Sequence, residues 1–262
     1  MLPRIFYPSY VTKKKLIRIG PNKDGGYVVH KDILKNIHYI ISCGLNDDWC
    51  FEKHLIKHQK NCHLLFYDHT VTKKFWLQYT VKNFIDFLLL KKLTLKKILN
   101  IFKFFEYKFF FKYNKKHYIK KIGNKNSKNQ ITLNRIFDTL PIKKKIILKI
   151  DIEGDEYKVF SDIINNQKKI DHLIIEFHNV YNNLKKIKNF IKKIKLLKLI
   201  HIHGNNFNKI INGVPNVLEM TFVNKLNYKK DKLEKNFTYP IRDLDFPNHK
   251  SKKDINLYFN HE

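Results

Sequence analysis

Alanine is absent from the 262 residues, arginine occurs only four times (Arg4, Arg18, Arg135 and Arg242), and cysteine three times. The thiols Cys43, Cys50 and Cys62 are odd in number and lack CxxC spacing. That pattern speaks against a disulfide framework and a structural zinc site, and makes a reducing cytoplasm the expected compartment. Long apolar runs are missing too: stretches such as FIDFLLL from Phe84 stop well short of the about 18 residues a membrane-spanning helix needs. The opening MLPRIFYPSYVTKKK has no apolar stretch leading to a small-residue cleavage site, so no secretory signal is expected. No segment has the composition of a flexible linker, and 43% apolar content is enough to bury a core. A single domain spanning 1–262 is the expectation.

What is abundant is lysine. Of 52 basic residues all but the four arginines are lysine, and the formal net charge is +29. A surface selected to read phosphates would be expected to use the bidentate guanidinium of arginine, which is nearly missing here. Abundant Lys, Asn, Ile and Phe without alanine is instead the signature of an AT-rich genome. Specific nucleic-acid recognition is therefore not expected, although weak attraction to polyanions or to an anionic membrane surface follows from the charge.

Short apolar runs alternate with helical patterns. HYIISCGL ends near Gly44 and CHLLFYDHT near Asp68, with a helical segment between them that Asp47 or Asp48 can cap. KKIILKIDIEG and HLIIEFHN follow, then a helix patterned by Leu184, Ile187, Phe190, Ile191, Ile194 and Leu197, then KLIHIHGNN and NVLEMTFVN. The order predicts an α/β, mainly parallel doubly wound sheet with an antiparallel last strand. Residues 71–121 break the alternation. Leu88, Leu95, Ile98, Leu99, Phe102, Phe105 and Phe109 form a helical stripe, which predicts a basic, aromatic helical insertion acting as packing, as a cap over substrate, or as a membrane-resting face. A polar tail covers 225–262.

Ligands of such sheets collect at the carboxyl ends of the strands. Gly44 ends the first strand, and Asp68 ends the second 24 residues later, close to the ~20-residue interval of a carboxylate that grips a ribose. Asp151, Glu153, Asp155 and Glu156 crowd one turn, where Asp155 and Glu156 also suit the first turn of a helix. Neighbouring strand ends supply Glu176, His178, His201, His203, Asn205 and Asn206. Acids, imidazoles and amides thus converge. They could orient a hydroxyl, accept its proton, or hold a divalent metal, although the spacing matches no specific ligand motif. A metal-dependent nucleotide-sugar transferase, or a non-catalytic binder of polyanions or membranes, are the other classes this pattern admits.

KIDIEGDEYKVF, with Asp151, Glu153, Gly154 and Glu156 in the matching places, resembles the characteristic motif of the FkbM family of methyltransferases. DGGY from Asp24 to Tyr27, ISCGLNDDWCFE, LLFYDHT, IIEFH, HIHGNN, VLEMTF and LDFPN are similar, in the same order, to segments of one bacterial branch. The resemblance implies a Rossmann-like class I fold, S-adenosylmethionine as cofactor, and O-methylation of a sugar, glycan or other small-molecule acceptor. By motif match it implies that Gly44 and Asp68 bind the cofactor and that Asp151 borders both cofactor and acceptor; Cys43, Leu45, Asp47 and His69 are expected beside them at the cofactor, and Asp24, Tyr27, Asn205 and Asn206 at the acceptor. His178 or His203, oriented by Glu176 or Asp151, is then the expected base, with Glu153 either catalytic or holding the turn through backbone donors. A divalent metal is not required by this reading.

Overall fold

The computed structural model describes residues 1–35, 37–58, 61–89, 95–141, 144–231 and 238–260. Residues 90–94 of the expected insertion, and 232–237 and 261–262 of the expected tail, lie outside the described residues.

Seven strands form the central sheet: β1 (Tyr39–Cys43), β2 (His63–Tyr67), β3 (Lys115–Tyr118), β4 (Ile146–Ile150), β5 (Ile170–His178), β6 (Leu197–Gly204) and β7 (Val217–Asn224). Their spatial order is β3-β2-β1-β4-β5-β7-β6, and β7 alone runs opposite to the other six. This is a Rossmann-like, doubly wound arrangement with an antiparallel last strand. The interior strands are mainly apolar because helices cover both faces of the sheet, with buried polar residues such as Ser42, Lys149 and Glu176 as exceptions. Alternate residues feed two cores: Ile41, Leu148 and Ile175 pack on one face, Ile40, Ile147 and Ile174 on the other.

Helices fill the crossovers: α1 (Cys50–Lys57), α2 (Lys73–Leu88), α3 (Leu95–Ile101), α4 (Lys103–Phe110), α5 (Leu133–Asp138), α6 (Phe160–Asn166) and α7 (Val180–Lys193). The Thr72 hydroxyl accepts from Phe75 N at 3.3 Å and caps α2. Leu197, expected on the helical stripe, begins β6 instead. An N-terminal antiparallel pair, Leu16–Ile19 with Tyr27–His30, packs beside β6 and β7.

The segment 71–121 is not wholly helical. α2, α3 and α4 take the place of a single crossover helix, and the chain then supplies β3. This edge strand reads KKHY, and lysines suit an edge because they blunt pairing with other chains. The inner face of α2 and α4 buries Trp76 and Phe110 against Trp49, in an aromatic cluster that includes Tyr107 and Phe111. Among the described residues no helix is long and apolar enough to cross a membrane.

Candidate active site

A cleft of about 740 Å³ opens at the carboxyl ends of β1, β2, β4 and β5. It straddles the β1/β4 boundary, where the strand order reverses and doubly wound sheets bind their ligands. Gly44 permits this close approach: its φ is +92°, and a Cβ there would lie 1.8 Å from the Asp151 carbonyl oxygen. Three non-glycine residues just beyond the strands, Asn46, Glu153 and Asn179, also have positive φ (46°, 54° and 52°). Such backbone costs on the order of 1–3 kcal/mol per residue and concentrates at ligand sites.

Asp68 is occupied by its own fold. One carboxylate oxygen accepts from Leu45 N (2.8 Å) and Asn46 N (3.1 Å), the other from the Thr70 amide (2.7 Å) and hydroxyl (2.6 Å). Burial would raise its pKa, but these donors outweigh burial and keep the carboxyl below its ordinary range. A carboxylate has about four lone-pair directions, so Asp68 shapes the loop after β1, and the ribose contact expected of it competes with these bonds. The insertion reaches the same residue: Tyr107 donates to His117 Nδ1 (2.8 Å), and His117 Nε2 donates to the Asp68 carbonyl (3.0 Å). Burial lowers the His117 pKa, as this neutral tautomer requires.

The turn after β4 is held by Glu156, which is fully buried. Its Oε1 accepts from Ile152 N (3.2 Å), Gly154 N (3.0 Å) and His178 Nδ1 (2.9 Å). The turn-holding role considered for Glu153 thus belongs to Glu156, and so does the orientation of His178 expected from Glu176 or Asp151. Glu153 is 86% exposed and lies 3.4 Å from His178 Nε2, while Asp151 stands at 4.0 Å and Glu176 at 3.9 Å. With Nδ1 donating, the neutral ring presents the Nε2 lone pair to the cleft. Burial would lower the His178 pKa, but the Glu156 hydrogen bond and the charges of Glu156, Asp151 and Glu153 outweigh it and raise the value.

Behind His178 the floor is charged. Burial lifts the Asp151 carboxyl to about 6, with Lys149 and His178 pulling the other way. Burial also lifts Glu176, reinforced by Asp151 and Glu219, while Asn205 Nδ2 donates to its Oε1 at 3.0 Å. Lys149 is buried on β4, with Nζ 3.7 Å from Glu52 Oε1. Burial opposes its charge, yet Glu52, Asp151 and Glu176 hold it as a cation. Lys149 and Glu52 line the cleft and were missed from sequence, although Lys149 lies two residues before Asp151 and so shares its face of the strand.

The cleft gathers Asp24, Tyr27, Gly44, Leu45, Asp68, His69, Asp151, Glu153, Glu176, His178 and Asn205. Four other expected site residues do not line it. Cys43 is buried in β1, and Asp47 accepts from Tyr79 at 2.8 Å. Asn206 ties down the C-terminal segment through the carbonyls of His249, Lys252 and Lys253. His203 is 1% exposed between Glu219 (3.1 Å) and Asp254 (2.9 Å). Burial would lower its pKa, but those two acids push it up to about 10, so it is a buried imidazolium with neither nitrogen free to act as the expected base.

No family model matches the chain, and no curated protein does. Solved structures that resemble it include the fibrillarin pre-rRNA processing protein of Methanococcus jannaschii (8% identity, TM-score 0.36, covering 73% of this chain and 68% of that one). Others are the methyltransferase FkbM of Methylobacillus flagellatus (12%, 0.35, 71% and 44%) and a precorrin-6y C5,15-methyltransferase of Geobacter metallireducens (10%, 0.34, 82% and 95%). This chain spans less than half the length of that FkbM protein. At such identities and TM-scores the fold rests on the chain's own strand order.

Proposed function

We propose that this protein is an S-adenosylmethionine-dependent methyltransferase acting on a hydroxyl of a sugar, glycan or other small metabolite. The observation that carries the reading is His178: its Nε2 faces the strand-end cleft while Nδ1 is anchored on buried Glu156. That is the arrangement a general base for a hydroxyl requires.

The residues present fit the cofactor in size and charge. The cleft volume of about 740 Å³ is within the range of small-molecule sites, and the Asp151 and Glu176 acids suit a sulfonium cation. The loop after β1 and the rim residues Asp48 and His69 would hold the nucleoside. Asp68 supports that loop, and Asp151 borders the acceptor. When bound, S-adenosylmethionine supplies an electrophilic methyl group. This chain then has to align the acceptor, exclude water and remove one proton at His178 Nε2.

A second reading shares the site. One ligand atom each from Asp151, Glu153 and His178 lies within 4.8 Å of the others, and Glu156 supports the imidazole from behind, as carboxylates commonly do for metal-bound histidines. A divalent cation held there would polarise the acceptor hydroxyl, and His178 would be a ligand rather than the base.

Calorimetric titration with S-adenosylmethionine and S-adenosylhomocysteine tests the proposal. Saturable one-site binding supports it, and its absence in folded protein removes it. Chelator-treated protein, assayed with and without added magnesium or manganese, then separates the two readings.

A further inference from the structure

We infer that the helices α2 to α4 form a docking face for an anionic lipid bilayer, a conclusion that does not depend on the methyltransferase reading. Twelve of the twenty large hydrophobic side chains exposed among the described residues fall between Leu77 and Tyr113. They are ordered. On α2, Leu77, Val81, Phe84, Ile85 and Leu88 recur at the spacing of one helical face and are all exposed, while Trp76 and Asn83 form the buried face. Beside it, Phe102, Phe105 and Phe109 repeat the pattern along α4, with Phe109 70% exposed.

The inner side of this unit is already satisfied. Trp76, Tyr107, Phe110 and Phe111 pack on Trp49 and Phe66, so the second apolar stripe is not needed by the core. Exposed apolar patches of this extent on a soluble surface mark an interaction site.

Charge selects the occupant. Residues 71–121 contain fourteen lysines against Asp86 and Glu106, a net +12 with histidine neutral. Among the described residues α2 and α4 carry Lys73, Lys74, Lys82, Lys103 and Lys108 against Asp86 and Glu106, so two copies face to face would oppose positive with positive within a Debye length of about 8 Å, which disfavours self-association. A bilayer rich in anionic headgroups answers both features: apolar side chains enter the acyl boundary, and lysine stems let the ammonium groups reach the phosphates. No described helix can span a membrane, so the contact lies in the plane of the surface.

The test is co-sedimentation of the full-length protein with vesicles of phosphatidylcholine alone, or of phosphatidylcholine mixed with phosphatidylglycerol. Its comparison is the variant Phe84→Ser/Leu88→Ser/Phe105→Ser, whose exposed sites leave the fold intact by circular dichroism. The wild type should pellet with the mixed vesicles and not with phosphatidylcholine alone, and the variant should lose at least tenfold in vesicle affinity. Independently, Phe105→Trp should shift its fluorescence to the blue on adding mixed vesicles. Any of three results overturns the inference. They are equal vesicle binding by wild type and triple variant, which would leave a simple lysine-polyanion attraction; no pelleting with mixed vesicles; or light scattering that shows a wild-type dimer which the triple variant dissolves.

Discussion

Glu156 Oε1 lies 2.9 Å from His178 Nδ1 while also receiving the amides of Ile152 and Gly154, so one buried carboxylate sets both the turn after β4 and the imidazole at the end of β5. The pair links a local backbone feature to the chemistry of the cleft. It predicts that Glu156→Gln, whose amide oxygen can still accept from the turn's N–H groups and from His178 Nδ1, keeps the fold but removes the negative charge beside the imidazole. The His178 pKa, raised in the wild type, should fall by about one unit or more in the variant. Carbon-detected NMR titration of the histidine rings reads this without knowing the acceptor. An unchanged titration would mean that Glu156 is only a turn residue. If His178 is the base, turnover rises with pH through its raised pKa, and Glu156→Gln moves that acid limb to lower pH.

Gly44 and Gly154 share positive φ but not their surroundings. A Cβ on Gly44 would lie 1.8 Å from the Asp151 carbonyl, whereas one on Gly154 would meet nothing within 4 Å. Gly44→Ala must therefore push β1 away from the end of β4 and should cost about 3 kcal/mol or more of unfolding free energy. Gly154→Ala is strained only by its dihedral and should cost about 1–2 kcal/mol. Urea unfolding of the two variants checks the order, and equal costs would mean that the β1/β4 approach is not tight.

His203 makes stability depend on alkaline pH. Its pKa is about 10 in the folded protein against an ordinary 6.5, so the native state keeps a proton that the unfolded chain releases. The stabilisation is complete below pH 6.5 and is lost as pH rises through the folded value. The urea midpoint of the wild type should fall between pH 7 and pH 10. Asp254→Asn, which removes one of the two acids, should flatten that fall and be least stable relative to wild type at the low end. Parallel curves for the two proteins would mean that His203 is not held as an imidazolium.

The parts of this molecule legible in the sequence are those whose cause is local. β1, β4 and β5 announce themselves as apolar runs because helices cover both faces, and Gly44, Asp68, Asp151 and His178 were found because they end such runs. β3 was not found: KKHY has neither an apolar run nor alternation, being an edge strand defined by pairing with β2. His203 misled for a related reason, since Asp254, 51 residues further on, folds back to close over it, and no local period carries that contact. Glu156 resembled an ordinary acid at a helix start until its distance to His178 was known.

A divalent cation in the cleft would be bound in a pH-dependent way. Asp151, Glu153 and His178 must all be deprotonated to act as ligands, yet Asp151 titrates at about 6 and His178 above 6.5. Affinity for a divalent cation should therefore climb as pH rises from 6 to 8, with protons released on binding. Manganese added at pH 8 should broaden the His178 ring signals before those of the exposed His58 and His63, which lie outside the cleft. Loss of that selectivity in Asp151→Asn would place the ion on these residues. Glu153, the most exposed of the three, should matter least, so Glu153→Gln should weaken binding less than Asp151→Asn. Uniform broadening of all exposed histidines would leave His178 as a base without a metal and return the proton-removal step to its Nε2 alone.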